Sequence, residues 1–264
     1  LAAATAAHAF DHSYAAWDAL GKRHVKLVDG GKASQVRFAG FAKDRAALEA
    51  YLAEVSEVGE AEFRGWTKPQ QVAFLVNAYN AFTVELILTK YPDLKSIRDL
   101  GNLLFNSPWK KKFFTLFGRE SWLDQLEHEW LRRPGAYDEP RVHYAVNCAS
   151  IGCPMLREEA FVADRLEAQL EEQARRFLSD RTRNRFNPAS GKLEVSEIFK
   201  WFKEDWTSGY RGLSGTGAPV TSREQYFARY ADLLADSPAD RRLVAEGKAP
   251  IAHLDYDWSL NDAR

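Results

Sequence analysis

The chain has 264 residues, 45% of them hydrophobic, with 36 basic against 37 acidic side chains and a net charge of −1. That balance leaves no global field to draw a polyanion or an anionic bilayer, so nucleic acid is not an expected partner. No run approaches the roughly 18 to 20 consecutive apolar residues that span a bilayer, the longest helical candidate, Pro69 to Lys90, being interrupted by Gln70, Gln71, Asn77, Asn80 and Glu85. A soluble protein without a membrane span is expected.

The opening LAAATAAHAF is rich in small residues, as chains just past a signal-peptidase cut often are, and points to a periplasmic or secreted protein; a cytoplasmic chain fits the same residues. Apolar positions at helical spacing predict helices over about Tyr14 to Val25, Arg45 to Val58 and Val72 to Leu88. Between the first two, Lys26 to Phe41 alternates loosely around Gly30 and Gly31, which predicts a hairpin. After Pro92 come a short helix, a turn around Asn106, Ser107 and Pro108, and a strand from Lys112 to Phe117 ending at Gly118. Ser121 is placed as the N-cap of the next helix, WLDQLEHEWLRR, with Leu123, Leu126, Trp130 and Leu131 on its apolar stripe.

Val142 to Val146 reads as a buried strand, bounded by Pro140 and the CASIGCP segment. An amphipathic helix is predicted from Val162 to Leu178, a hairpin strand over Gly191 to Ser196, and a short aromatic helix over Ile198 to Trp206. Two more helices follow in SREQYFARYADLL and ADRRLVAEG, and the tail IAHLDYDWSLND is expected as a closing strand or strap. The Gly-rich loop Leu213 to Pro219 lacks the Lys-Ser/Thr ending of a phosphate loop, so no nucleotide cofactor is expected. The fold class is α+β, many helices packed around a small, mostly antiparallel sheet, in a single domain over 1–264. The 8 Trp, 10 Tyr and 16 Phe, spread from Phe10 to Trp258, favour one domain over a domain with a tail.

Both cysteines, Cys148 and Cys153, lie in RVHYAVNCASIGCP with His143 just upstream. A thiol attacks as thiolate and needs a base or a positive charge nearby, so this window is where chemistry is expected. Free cysteine and buried histidine are also ordinary core residues, and the window alone fits packing equally well. As metal ligands, His143, Cys148 and Cys153 would have H-x4-C-x4-C spacing, which is not a standard zinc arrangement; no metal is expected. A thiol–disulfide role would use CASIGC, with four intervening residues rather than the two of a thioredoxin-like motif.

The segments NAYNA (77–81), LEHEWLR (126–132), RVHYAVNCASIGCPMLREEAF (141–161) and IFKWFKEDW (198–206), in that order, resemble the domain-of-unknown-function family 547. The resemblance covers roughly Gln71 to Trp206, with YDWSLN near the end also similar, and leaves 207–264 as a helical and strap-like C-terminal part. The family is similar to distant relatives of papain-like cysteine hydrolases. It implies a Cys-His-Glu constellation of Cys148, His143 and Glu127, with His128 beside it. The implied function is a cysteine-dependent hydrolase acting on an amide or thioester of a small peptide or thiol-containing peptide. The alternative is a non-catalytic module that keeps the fold and binds a ligand or protein.

Geometry constrains the constellation. On an extended strand His143 and Cys148 would stand about 16 Å apart on opposite faces, so a direct dyad requires the chain to fold back. Otherwise His128 must serve Cys148. Glu127 and His128, adjacent on a helix, cannot both point straight at one spot. Backbone amides of the CASIGC turn are the expected oxyanion donors. Asn77 and Asn80 share one face of an apolar helix, where they must be hydrogen-bonded, either as support for the turn or in contact with substrate.

Overall fold

The computed structural model of the chain describes residues 9–101 and 107–263, so the first eight residues and Asn106 lie outside the described residues. Five helices come first: α1 (Ala15–His24), α2 (Phe38–Lys43), α3 (Arg45–Glu57), α4 (Glu60–Gly65) and α5 (Lys68–Leu88). Between α1 and α2 the expected hairpin forms from β1 (Val25–Val28) and β2 (Ala33–Val36), antiparallel with Val25 opposite Val36. Its turn passes through Gly30 and Gly31 at φ 62° and 87°, a region open to glycine without steric cost.

Helix α5 begins four residues earlier than its periodicity alone suggests, because Thr67 and Gln70 close a reciprocal capping box with Pro69 in the first turn. By length and composition it is long and apolar enough to cross a membrane, but 89% of its most apolar stretch is buried inside the molecule. It is the central helix of the core, which is why apolar residues surround it on all sides and why Asn77 and Asn80 are buried.

β3 (Phe114–Leu116) and β4 (Arg119–Ser121) form a second hairpin through Phe117 and Gly118, both at positive φ. Ser121 belongs to β4, and its hydroxyl donates to the Arg119 carbonyl, so Trp122 rather than Ser121 occupies the N-cap of the next helix. From Leu126 to Leu131 that helix is wound as a π-helix, closed by the Arg132 N–H on the Glu127 carbonyl at 2.8 Å. Farther on, α6 (Leu166–Leu178) precedes β5 (Arg185–Asn187) and β6 (Lys192–Ser196), which pair antiparallel, and β7 (Ile251–Leu254) adds parallel to β6. The fold is α+β, with its strands in three small sheets.

The segment expected as a strand over Val142–Val146 is helical instead: Pro140–Tyr144 forms a 3-10 helix and Ala145 continues in the α region. Pro140 presets φ at the first helical position, and the Glu139 carboxylate accepts the Arg141 N–H at 3.0 Å. The carbonyl of Ala145 and the amide of Asn147, which a sheet ladder would need, both bond to the side chain of Asn80. Ile198–Trp206 likewise breaks into Ile198–Trp201 and Lys203–Thr207 at Phe202, whose ring stacks on His143 with centroids 4.2 Å apart.

Two apolar cores result. One surrounds α5; the other gathers Phe177, Phe199, Trp206 and Tyr226. Val142 and Ala145 pack into the first and Tyr144 into the second, so the chain leading to Cys148 runs along the seam between them.

Candidate active site

The cysteine loop is held from two sides. Asn80 donates to the Ala145 carbonyl at 2.9 Å and accepts from the Asn147 amide at 2.8 Å, while Asn77 clasps the carbonyl and amide of Phe161 in the same way. Both asparagine side chains thus bond backbone groups, Asn80 beside the cysteine loop and Asn77 at Phe161, as buried amides must. On the other side the C-terminal strap pairs with the loop. The amides of Ile151 and Gly152 donate to the carbonyls of Ser259 and Asp257, each at 2.8 Å, and the Asn261 amide donates to the Ala149 carbonyl. Ala149, at φ 61°, sits in the left-handed region, and its N–H is satisfied by the Asn147 side chain at 2.9 Å.

These bonds narrow the expected oxyanion donors to one amide of the turn, the Ser150 N–H, which bonds the Cys148 sulfur. The amides of Ala149, Ile151, Gly152 and Cys153 are all committed within the loop or to the strap. The Cys148 amide donates to the Cys153 sulfur at 3.1 Å.

The half-buried Cys148 sulfur lies 3.1 Å from the Ser150 hydroxyl and 3.3 Å from the Tyr256 hydroxyl. Both cysteines are free thiols. Hydrogen bonding from Cys153 is the largest influence on the Cys148 thiol; burial opposes it, and Ser150 and Tyr256 add to it, bringing the pKa down to about 7. Burial pushes Cys153 and Tyr256 well up, so both stay protonated and act as donors to the thiolate. Cys148 is thus the ionisable member of the pair.

The histidines divide. His143 is buried, and its Nε2 lies 2.8 Å from Oδ2 of Asp205, a carboxylate also bound by Arg132 at 2.7 Å. Burial alone would raise the Asp205 pKa, but the bonds from His143 and Arg132 outweigh it and hold it at about 2. The carboxylate that orients His143 is therefore Asp205, where the family resemblance points to Glu127. His128 is half exposed, its Nε2 3.5 Å from Asp124, and the bond to Asp124 raises its pKa. Among the described residues neither imidazole is hydrogen-bonded to Cys148, although the fold-back of 140–145 brings His143 to the same cleft.

That cleft, about 200 Å³, is lined by Cys148, Cys153, His143, His128, Glu127 and Asp124 on its chemical side. The π winding turns the chain less per residue than an α-helix does, and both Glu127 and His128 reach the cleft wall. The rest of the lining is largely aromatic: Trp109, Trp201, Trp258, Tyr256 and Phe202. Trp258 bridges it, with ring centroids 5.8 Å from Trp109, 5.7 Å from Trp201 and 4.5 Å from Tyr256. A larger cavity of about 420 Å³, beside Phe10, Tyr14 and Tyr51, carries carboxylates but no cysteine or histidine. Among the described residues no group of three or more His, Cys, Asp or Glu side chains is gathered as metal ligands.

The family model described as "Protein of unknown function, DUF547" matches residues 63–178. That stretch is similar to DUF547. No curated protein and no solved structure matches the chain. The matched stretch contains the asparagine clamps, Glu127, His128, His143 and both cysteines. Asp205 lies beyond it, as do Ile198, Trp201, Phe202, Tyr256 and Trp258, so a third of the residues lining the cleft come from chain outside the DUF547 match. Sequence reasoning assigned Asp205 and Tyr256 no role. The signal lay in IFKWFKEDW and YDWSLN, two aromatic segments each carrying an acid or a phenol with no evident purpose.

Proposed function

We propose that this protein is a cysteine-dependent hydrolase, distantly papain-like, that cleaves an amide or thioester of a small peptide or thiol-containing peptide. The observation that carries the reading is the convergence on one cleft of a thiol ionised near neutrality and an imidazole anchored by a carboxylate. The Cys148 thiolate attacks the carbonyl carbon, forming a C–S bond. The His143 imidazolium gives its proton to the departing amine or thiol. Water, losing a proton to His143, then cleaves the acyl-enzyme and returns the thiolate. Asp205 fixes the imidazole and stabilises its charge. As attack uses up the sulfur's charge, the donors that served it, the Ser150 and Tyr256 hydroxyls and the Ser150 amide, turn to the developing oxyanion.

Iodoacetamide labelling below pH 7 tests the nucleophile: Cys148 should react faster than Cys153, and His143→Ala should slow it. Equal, slow labelling of both thiols would count against the hydrolase. Turnover is tested on fluorogenic amide and thioester peptides, with Cys148→Ala as the inactive control.

One observation favours a second reading. The Cys153 sulfur accepts the Cys148 amide at 3.1 Å, which keeps the two free thiols side by side and suits a reversible Cys148–Cys153 disulfide. A small disulfide is the oxidant: Cys148 attacks one of its sulfurs and expels a thiolate, then Cys153 displaces the second thiol.

A further inference from the structure

Glu127 is only 8% exposed and lines the cleft beside Tyr79 and Trp109, yet no ion pair joins it to a cation among the described residues. A carboxylate set against an apolar wall is costly when unpaired. Nor, among the described residues, does any lysine or arginine line the cleft; its carboxylates there are Glu127 and Asp124, and Asp124 is shared with the half-exposed His128. In the same lining, Trp201 leaves 42% of its surface in solvent. Two of the rings in this lining already take cations. The guanidinium of Arg98 lies 5.3 Å from the Trp258 ring and that of Arg132 lies 4.4 Å from Phe202, and neither arginine lines the cleft.

We propose that the cleft selects substrates carrying an ammonium or guanidinium group on an apolar stem, the stem lying along Trp109, Trp201 and Trp258 and the cation meeting Glu127. This rests on the hydrolase reading and names its substrate class. Indole faces attract cations through their quadrupole, and they do so more strongly where water is excluded. A cleft of about 200 Å³ holds one such side chain beside the scissile bond. Since Asp205 already anchors His143, Glu127 is free to act in recognition, as a specificity residue.

The test uses three methanethiosulfonates with one reactive group: the neutral ethyl, the 2-(trimethylammonium)ethyl and the 2-sulfonatoethyl reagents. In each, the thiolate attacks the sulfenyl sulfur and methanesulfinate leaves. Rates at Cys148, followed by mass spectrometry at pH 8, are divided by those for free 2-mercaptoethanol and then by the neutral reagent's rate on the same variant. The parent protein should prefer the cation over the anion by about tenfold or more. Glu127→Gln should lower that ratio about fivefold and Trp201→Leu about threefold, while Glu127→Asp should retain it. A parent ratio near one, or a ratio that either Glu127→Gln or Trp201→Leu leaves in place, overturns the proposal. The neutral reagent separates the two readings: if it modifies Cys148 no faster than Cys153, the hydrolase itself fails; if it modifies Cys148 fast with no charge preference, only the substrate class fails.

Discussion

The Tyr256 hydroxyl lies 3.3 Å from the Cys148 sulfur, across 108 residues of chain. Burial keeps the phenol protonated, so in this contact it donates. Replacing Tyr256 with Phe removes a donor from the thiolate and must move the Cys148 pKa upward. The expected shift is about half a unit to one unit, read from the pH dependence of iodoacetamide labelling. An unchanged profile would remove Tyr256 from the site.

Gly152 is where the strap touches the loop most closely. A Cβ there would stand 2.9 Å from the Asp257 nitrogen and 3.0 Å from both the Asp257 oxygen and Cδ1 of Tyr256. Gly152→Ala should lift the strap, cost about 1–3 kcal/mol in urea unfolding and slow Cys148 labelling in the same direction as Tyr256→Phe. Slower labelling with full stability would point to a local change in the loop instead.

Oxidation with glutathione disulfide distinguishes the two readings of the cysteine pair. If Cys148 and Cys153 close a disulfide, the intact mass falls by about two hydrogens, labelling of Cys148 stops, and reductant restores both. Cys153→Ala should prevent closure, leave a glutathione adduct on Cys148, and raise the Cys148 pKa by removing the largest stabilising donor. A stable glutathione adduct on the parent protein would exclude the redox cycle and leave the hydrolase standing.

Asp205 links the site to acid stability. Its folded pKa, about 2, lies below the unfolded value near 3.9, so it contributes stability that is present above about pH 4 and lost as pH falls towards 2. With its side chain 24% exposed, the contribution is on the order of 1 kcal/mol. Asp205→Asn should abolish that part of the acid transition in urea titrations between pH 2 and 5. It should also slow turnover more than it slows alkylation, because it loosens His143 rather than the thiol.

Asn80→Ala leaves the Ala145 carbonyl and the Asn147 amide buried without partners. The expected cost is about 2–4 kcal/mol, measured by denaturation. Asn80→Asp retains the acceptor for the Asn147 amide but places a carboxylate oxygen against the Ala145 carbonyl, and should destabilise at least as much.

The helices at 45–57 and 68–88 and the glycine hairpin were legible because burial there follows local periodicity. Asn77 and Asn80 were legible as hydrogen-bonded, since two amides on an apolar helix need partners whatever the fold. The segment 142–146 was not. Its apolar run matches a strand, and only Asn80, 65 residues before Ala145, takes the backbone groups that a strand would pair. Asp205 was hidden for a similar reason: it reaches His143 across 62 residues, and Glu127 was the carboxylate implied by the resemblance. Tyr256 illustrates the general limit, because a donor to a thiol carries no periodicity and no motif of its own.

The strap has a consequence for biosynthesis. Cys148 leaves the ribosome long before Tyr256, Asp257 and Ser259 exist, so during that interval its sulfur lacks the phenol and its loop lacks two of its carbonyl anchors. The thiol is therefore quietest while the chain is least protected from stray electrophiles, and it sharpens only once the strap has been made.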